Sequence, residues 1–244
     1  MSERRLFVPA ERLGGTRLTL TGPEHRHIGL VLRARPGDAL TLFDGAGGEV
    51  EAEVIRVERT ETELALGARR VVAGPAVALT LLCAVPRGPR MDFLVQKTSE
   101  LGVARIVPVV TERSVARPEA EAGKRARWEK IAREAARQCG RADLPIVDAP
   151  VALAQAVSGS DLPTRRLALF EGERQLSLRA ALASTEPAAT AVLIGPEGGF
   201  APAELAVARA AGFEAVGLGQ RILRVETAAI VAVALLAAAY GMLD

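Results

Sequence analysis

Ala191-Val192-Leu193-Ile194 runs without a polar residue into Gly195-Pro196-Glu197-Gly198-Gly199-Phe200, and a helical stretch opens at Pro202. A short apolar run of this kind reads as a strand covered on both faces, as in a parallel sheet. Glycines directly after such a strand let the backbone approach a ligand closely. The pattern recurs downstream. Residues 215–218 form a second apolar strand, Gly219-Gln220-Arg221-Ile222-Leu223-Arg224 follow, and Val225-Glu226-Thr227 opens the last helix.

Outward from these two units the same grammar extends back to residue 76. Residues 77–85 read as a buried strand, 91–101 as a helix closed by Gly102, and Arg105–Val110 as the next strand. Residues 124–139 read as a helix, with Trp128, Ile131, Ala135 and Cys139 on one face. A further strand is expected at 167–170, and helices at 202–211 and 226–243. Alternating strands and helices predict an α/β fold with a largely parallel sheet and helices on both sides.

Residues 1–72 differ. Ala39–Phe43, 49–58 and 61–68 favour alternation or branched side chains, and Asp44-Gly45 with Gly47-Gly48 marks a hairpin-like connection. Pro36-Gly37-Asp38 is another turn. Short strands at this spacing predict a small β-barrel over 1–72, and Gly74-Pro75 supplies the linker to a second domain over 76–244.

Composition excludes several classes. Hydrophobic residues at 49% and charged residues at 25% argue against disorder, and a net charge of +2 places any nucleic-acid role in the distribution of charge. That distribution is polarised: residues 1–35 carry seven arginines against three acids, and 38–63 carry two against eight. Two separated cysteines make neither a disulfide framework nor a zinc site, and a reducing compartment is expected. The N-terminus lacks the apolar core of a secretory signal, and the alanine-rich run at 228–243 is too short to span a bilayer, so a cytoplasmic protein is expected. No phosphate-loop, hydrolase-elbow or HExxH motif is present, and Ile222 breaks the dinucleotide pattern that begins at Gly217.

The two glycine loops, placed at adjacent strand ends, form a crevice for an adenosine-like ligand, with Leu218, Ile222 and Leu223 as apolar walls. Two tight turns of an α/β sheet are the alternative reading. On the 124–139 helix, Lys130, Arg133 and Arg137 share the face opposite Trp128, and Arg141 follows at the same spacing. Such a stripe suits phosphates or simply forms a solvated face. His25 and His27 either contact RNA or cap a turn.

Taken together, Leu193 to Phe200 and Leu218 to Ala228 resemble the paired signature of the SPOUT methyltransferases. More narrowly, the chain resembles the RsmE family of bacterial 16S ribosomal RNA uridine-N3 methyltransferases. Arg5-Leu6-Phe7-Val8, His25, Val31-Leu32-Arg33 and Pro36-Gly37-Asp38 look like that family's PUA-like RNA-binding barrel. Lys97, Glu100-Leu101-Gly102-Val103, Gln138 and Arg141 match its central region. Val225 departs from the family's usual threonine, and Ala201 from a common serine or threonine cap, which costs about 1 kcal/mol of helix initiation.

The resemblance implies a C-terminal trefoil knot, S-adenosyl-L-methionine as cofactor and a homodimer. Cofactor contacts are expected from Leu193, Ile194, Gly195, Glu197, Gly198, Gly199, Leu218, Gly219, Ile222 and Leu223, mostly through the main chain. Arg224 is the expected catalytic cation, with Glu226 orienting it, accepting a proton, or serving as a first-turn carboxylate. Glu197 is expected to bond loop amides. For 16S ribosomal RNA or the small subunit, the expected contacts are Arg5, His25, Arg33, Arg133, Arg137, Gln138 and Arg141. The reaction needs no metal. Another RNA substrate, such as transfer RNA or 23S ribosomal RNA, or a non-catalytic ribosome-assembly factor, are the alternatives.

Overall fold

The structure is a computed structural model that describes residues 4–113, 122–183 and 186–243. The chain divides into two compact units: Met1–Gly74 together with Ala136–Leu144, and Pro75–Ala135 together with Pro145–Asp244.

In the first unit, β1 (Arg5–Phe7), β2 (Arg17–Thr21), β3 (Ala39–Phe43), β4 (Gly48–Val57) and β5 (Glu61–Val71) form one sheet in the order β1-β3-β4-β5-β2. Pairing is antiparallel except between β1 and β3. Alternation does the sorting: β2 buries Leu18 and Leu20 and turns Arg17, Thr19 and Thr21 outward. Val8, Leu20, Ile28, Leu42, Val50, Val54 and Leu64 make the centre of its core. Between β2 and β3 the chain forms α1 (Gly22–Arg26) and a π-helical stretch, His27–Val31, that buries Ile28.

This unit also buries charge. Arg5 lies within its interior, donates to Glu49 at 2.5 Å and stacks over the Phe43 ring. Arg70 donates to the other Glu49 oxygen at 2.8 Å. Asp44 turns the β3–β4 connection: one carboxylate oxygen accepts the N–H groups of Ala46 and Gly48, and the other takes Arg69. Burial alone would raise both carboxyls. Their arginines, and for Asp44 the two N–H groups, outweigh it and hold both below the usual range.

The second unit is built on a parallel sheet of β6 (Leu79–Ala84), β7 (Arg105–Val110), β8 (Ile146–Val147), β9 (Val151–Ala152), β10 (Arg165–Leu169), β11 (Thr190–Ile194) and β12 (Glu214–Val216). The order is β12-β10-β11-β6-β7-β8, with β9 also on β7. Successive strand residues feed opposite faces. Leu81, Cys83, Val192 and Ile194 pack with α2 (Arg90–Glu100), α3 (Arg125–Cys139), α5 (Leu178–Ala183) and α7 (Val225–Ala239). Leu82, Ala191 and Leu193 pack with α4 (Leu153–Val157) and α6 (Pro202–Ala210).

Several expectations are adjusted. The last helix stops at Ala239, where the Tyr240 hydroxyl bonds that of Thr190. The last strand ends at Val216 because Gly217 bonds instead to Leu176 and Leu178 in the connection after β10. Cys139, expected on the buried face of its helix, is exposed. Ala201 offers no acceptor, yet Glu204 reaches back to its N–H at 2.9 Å, which supplies half of a capping box.

Candidate functional site

The C-terminal ends of β10, β11 and β12 open onto one cavity. β11 and β12 are not neighbours, contrary to the sequence reading, because β10 lies between them. Three connections therefore converge there. Leu169, Phe170 and Glu171 come from the end of β10, and Ile194, Gly195, Pro196 and Glu197 from that of β11. Leu218, Gly219, Arg221, Ile222 and Leu223 follow β12, and Val225 and Ala228 come from the start of α7.

Of the ten expected cofactor residues, Ile194, Gly195, Glu197, Leu218, Gly219, Ile222 and Leu223 line this cavity. Leu193, Gly198 and Gly199 do not. Leu193 points into the opposite core, as strand alternation requires of a residue next to Ile194. Gly198 presents its carbonyl to Arg113 at 2.8 Å, and the Gly199 N–H closes a turn onto the Pro196 carbonyl. The β10 contribution was missed. Its only signal was the strand expected at 167–170, whose C-terminal end is where parallel sheets place ligands.

Two glycines set the shape of the cavity. A Cβ at Gly195 would come within 2.9 Å of the buried Phe200 ring, so no side chain fits. Gly219 has φ +96° with open space around it, so there the backbone conformation excludes a side chain. Ile222, 84% exposed, stands at the rim.

The charged groups divide between two sides of the α7 N-terminus. Arg224 is its N-cap residue, exposed, with no partner for its guanidinium among the described residues. Glu226, two residues on, is 9% exposed and turns instead towards Arg90 at 3.8 Å. Arg90 also donates to Glu197 at 2.9 Å. The expected pairing of Glu226 with Arg224 and of Glu197 with loop amides thus gives way to one clamp. Arg90, at the start of α2, joins the connection after β11 to the first turn of α7. Sequence reasoning missed Arg90 because its partners lie more than a hundred positions away. The other Glu226 carboxylate oxygen is buried and has no hydrogen-bond partner among the described residues.

Cys83, at the end of β6, has its thiol pushed far up by burial and by the Glu197 and Glu226 carboxylates. Such surroundings favour the protonated thiol over the thiolate.

The expected RNA contacts are scattered. Arg33 is exposed, in a left-handed conformation with φ 50°. Arg133 and Gln138 are exposed on α3 and Arg137 is half-buried. His25 uses both ring nitrogens internally, with Thr62 Oγ1 at 2.8 Å and the Arg59 carbonyl at 3.3 Å, so it fixes a turn. Arg5 and Arg141 are corrected. Arg5 is buried against Glu49, and Arg141 is largely buried and bidentate to Asp143, so neither presents its charge to a polyanion.

Residues 74–237 match the RNA methyltransferase domain family, and residues 20–64 match the RNA methyltransferase PUA domain. The ribosomal RNA small subunit methyltransferase E of Synechocystis is 35% identical over 233 residues, covering 94% of this chain and 76% of that protein. Its Bacillus subtilis namesake is 31% identical, over 88% of this chain and 87% of that one. A Legionella pneumophila methyltransferase solved with bound S-adenosylmethionine superposes with a TM-score of 0.87 at 34% identity, over 98% of this chain and 99% of that one. The Neisseria gonorrhoeae small subunit methyltransferase E, also bound to S-adenosylmethionine, gives 0.86 at 33%, over 98% of each chain. The chain belongs to the RNA methyltransferase family that includes the ribosomal RNA small subunit methyltransferases E.

Proposed function

We propose that this protein transfers a methyl group from S-adenosyl-L-methionine to ring N3 of a uridine in 16S ribosomal RNA. The observation that carries the reading is the convergence of three strand-end connections on one cavity beside Arg224. The residues fit the cofactor. Leu169, Ile194, Leu218, Ile222 and Leu223 offer apolar walls for an adenine. Open space at Gly219 admits a ligand against the backbone. In this reading the segment that carries Gly219 to Arg224 is threaded as a trefoil knot, tied to the connection after β10 through Gly217.

When bound, S-adenosylmethionine supplies an electrophilic methyl group on a sulfonium. The protein has then to align the uracil nitrogen and to favour its deprotonated form. Arg224, exposed and unpaired among the described residues, stabilises the negative charge that develops on the uracil ring. Glu226 holds the first turn of α7, and so the backbone of Arg224, through Arg90. Its second oxygen retains the capacity to accept a proton.

Residues 1–72 serve as the RNA-binding barrel, which Ala136–Leu144 joins, and the remainder of 76–244 serves as the catalytic domain. Arg33, Arg133, Arg137 and Gln138 face the RNA, with His25 supporting the barrel surface. A homodimer is supported by Phe93 on α2 and Leu235 on α7, apolar side chains left exposed on two helices that pack together. A ribosomal substrate places the protein in the cytoplasm, and no helix among the described residues is long and apolar enough to cross a membrane.

Labelled S-adenosylmethionine offered with small subunits, naked 16S RNA and transfer RNA, followed by nucleoside analysis, tests the reading. Label in 3-methyluridine from ribosomal substrate alone is expected. Arg224→Ala is expected to keep cofactor affinity and lose turnover by about 10²–10³-fold. Label in another nucleoside, or near-normal turnover in the variant, contradicts the respective assignment.

A further inference from the structure

The most exposed apolar pair of the first unit belongs to no core. Leu30 and Val31, 73% and 66% exposed, stand at the end of the π-helical stretch whose Ile28 is fully buried. A π turn inserted into a helix re-aims side chains and recurs at functional sites. Leu30 borders a cleft whose other side is the β4–β5 turn, with Val57, Glu58 and Arg59, and Arg26 lies on the same cleft. The walls are held in register by His25, which bonds Thr62 and the Arg59 carbonyl.

The charge around the cleft is cationic. Arg26 and Arg59 have no partner for their guanidinium groups among the described residues. The one acid, Glu58, is occupied by Arg56 at 2.8 Å. This sets the two arginines apart from Arg12, Arg17, Arg69 and Arg70 of the same unit, all of which are paired with carboxylates.

We infer that this cleft receives an unstacked base of single-stranded RNA, laid on Leu30 with the exposed Val31 next in the chain, and with its flanking phosphates at Arg26 and Arg59. The inference rests on the reading that the chain acts on RNA. An A-form duplex offers phosphates and hydroxyls across a shallow groove but no apolar face, whereas a base splayed from a loop offers one. An exposed leucine on a cleft that also carries two unpaired cations matches the second and gains nothing from the first. Phosphate contacts position the strand, and the apolar contact selects an unpaired nucleotide.

The test uses the full chain and two fluorescein-labelled probes read by anisotropy, a ten-nucleotide oligouridylate and a duplex RNA of equal length. The Leu30→Ser/Val31→Ser double variant is expected to bind the oligouridylate about tenfold more weakly and the duplex within about twofold of wild type. S-adenosylmethionine affinity by calorimetry should be unchanged, which verifies folding. Arg26→Gln and Arg59→Gln are each expected to weaken both probes and to flatten the salt dependence. The inference is overturned if the wild-type chain does not bind the oligouridylate, or if the apolar variant binds it as wild type does. It is also overturned if both probes weaken equally, or if sedimentation shows that the variant has lost self-association at Leu30 and Val31. Nucleoside analysis with small subunits reports separately on the enzymatic reading. Methylation without the oligouridylate effect sinks the cleft alone; the effect without methylation sinks the uridine-methyltransferase reading and leaves the cleft standing.

Discussion

The two units of this chain handle charge in opposite ways. The first buries Arg5 with Glu49 and closes its β3–β4 connection on Asp44, so that arginines serve as internal struts. The second surrounds its sheet with apolar side chains on both faces, and the Arg90 clamp and Arg224 lie where strands end and α7 begins. A local excess of arginine therefore means different things in the two units. In the first, most of the cations are spoken for, and only those without a carboxylate are open to a polyanion. In the second, a cation at a strand end sits beside the ligand cavity.

The largest effect is expected at Glu49. Glu49→Leu leaves Arg5 buried without its carboxylate, and about 3–5 kcal/mol of stability should be lost in urea unfolding. S-adenosylmethionine affinity of the folded fraction should not change. A loss below about 1 kcal/mol would show that the buried pair is not a strut.

A smaller effect is expected at the clamp of the second unit. Arg90 is partly exposed, so Arg90→Ala should cost at most about 1 kcal/mol in unfolding. Its larger consequence is displacement of the connection that carries Glu197, with S-adenosylmethionine affinity falling about tenfold and Arg90→Lys recovering part of it. Equal affinity in wild type and Arg90→Ala would remove the clamp from the binding site.

Acid should sharpen the contrast by the smallest amount. Asp44 and Glu49 titrate below their unfolded-state values, so the unfolded chain binds their protons first as the pH falls. Their contribution is complete above the usual carboxylate range, near pH 4–4.5, and is lost as the pH drops through the lower folded values. The melting temperature should hold steady from pH 7 to about 5 and fall below about 4. In Asp44→Asn and Glu49→Gln that acid-dependent part should shrink. An undiminished fall in both variants would assign it to other groups.

Most of the sheet of the second unit was legible because apolar runs such as 191–194 and 81–84 announce strands covered on both faces. The short elements β8, β9 and α4 lacked enough residues to show a period. Strand order was not legible either. Nothing local in Leu167 to Phe170 indicates that this strand lies between β11 and β12, and so Leu169, Phe170 and Glu171 were absent from the expected site. Glycines at 195 and 219 were readable because chain geometry alone restricts them. Arg90 was not, since its role depends on two carboxylates brought to it by the fold. The same limit led to Arg5 and Arg141 being taken as RNA contacts: sequence shows the charge but not the partner that neutralises it.

We read the cavity formed after β10, β11 and β12 as the S-adenosylmethionine site. Titration calorimetry of S-adenosylmethionine into the wild-type chain and Gly219→Val tests it most directly, because φ +96° at Gly219 excludes a branched side chain although the space around it is open. One high-affinity site is expected in the wild type, with a loss of affinity of at least about a hundredfold in the variant and unchanged unfolding of the first unit. Equal affinity in the two proteins would contradict that reading.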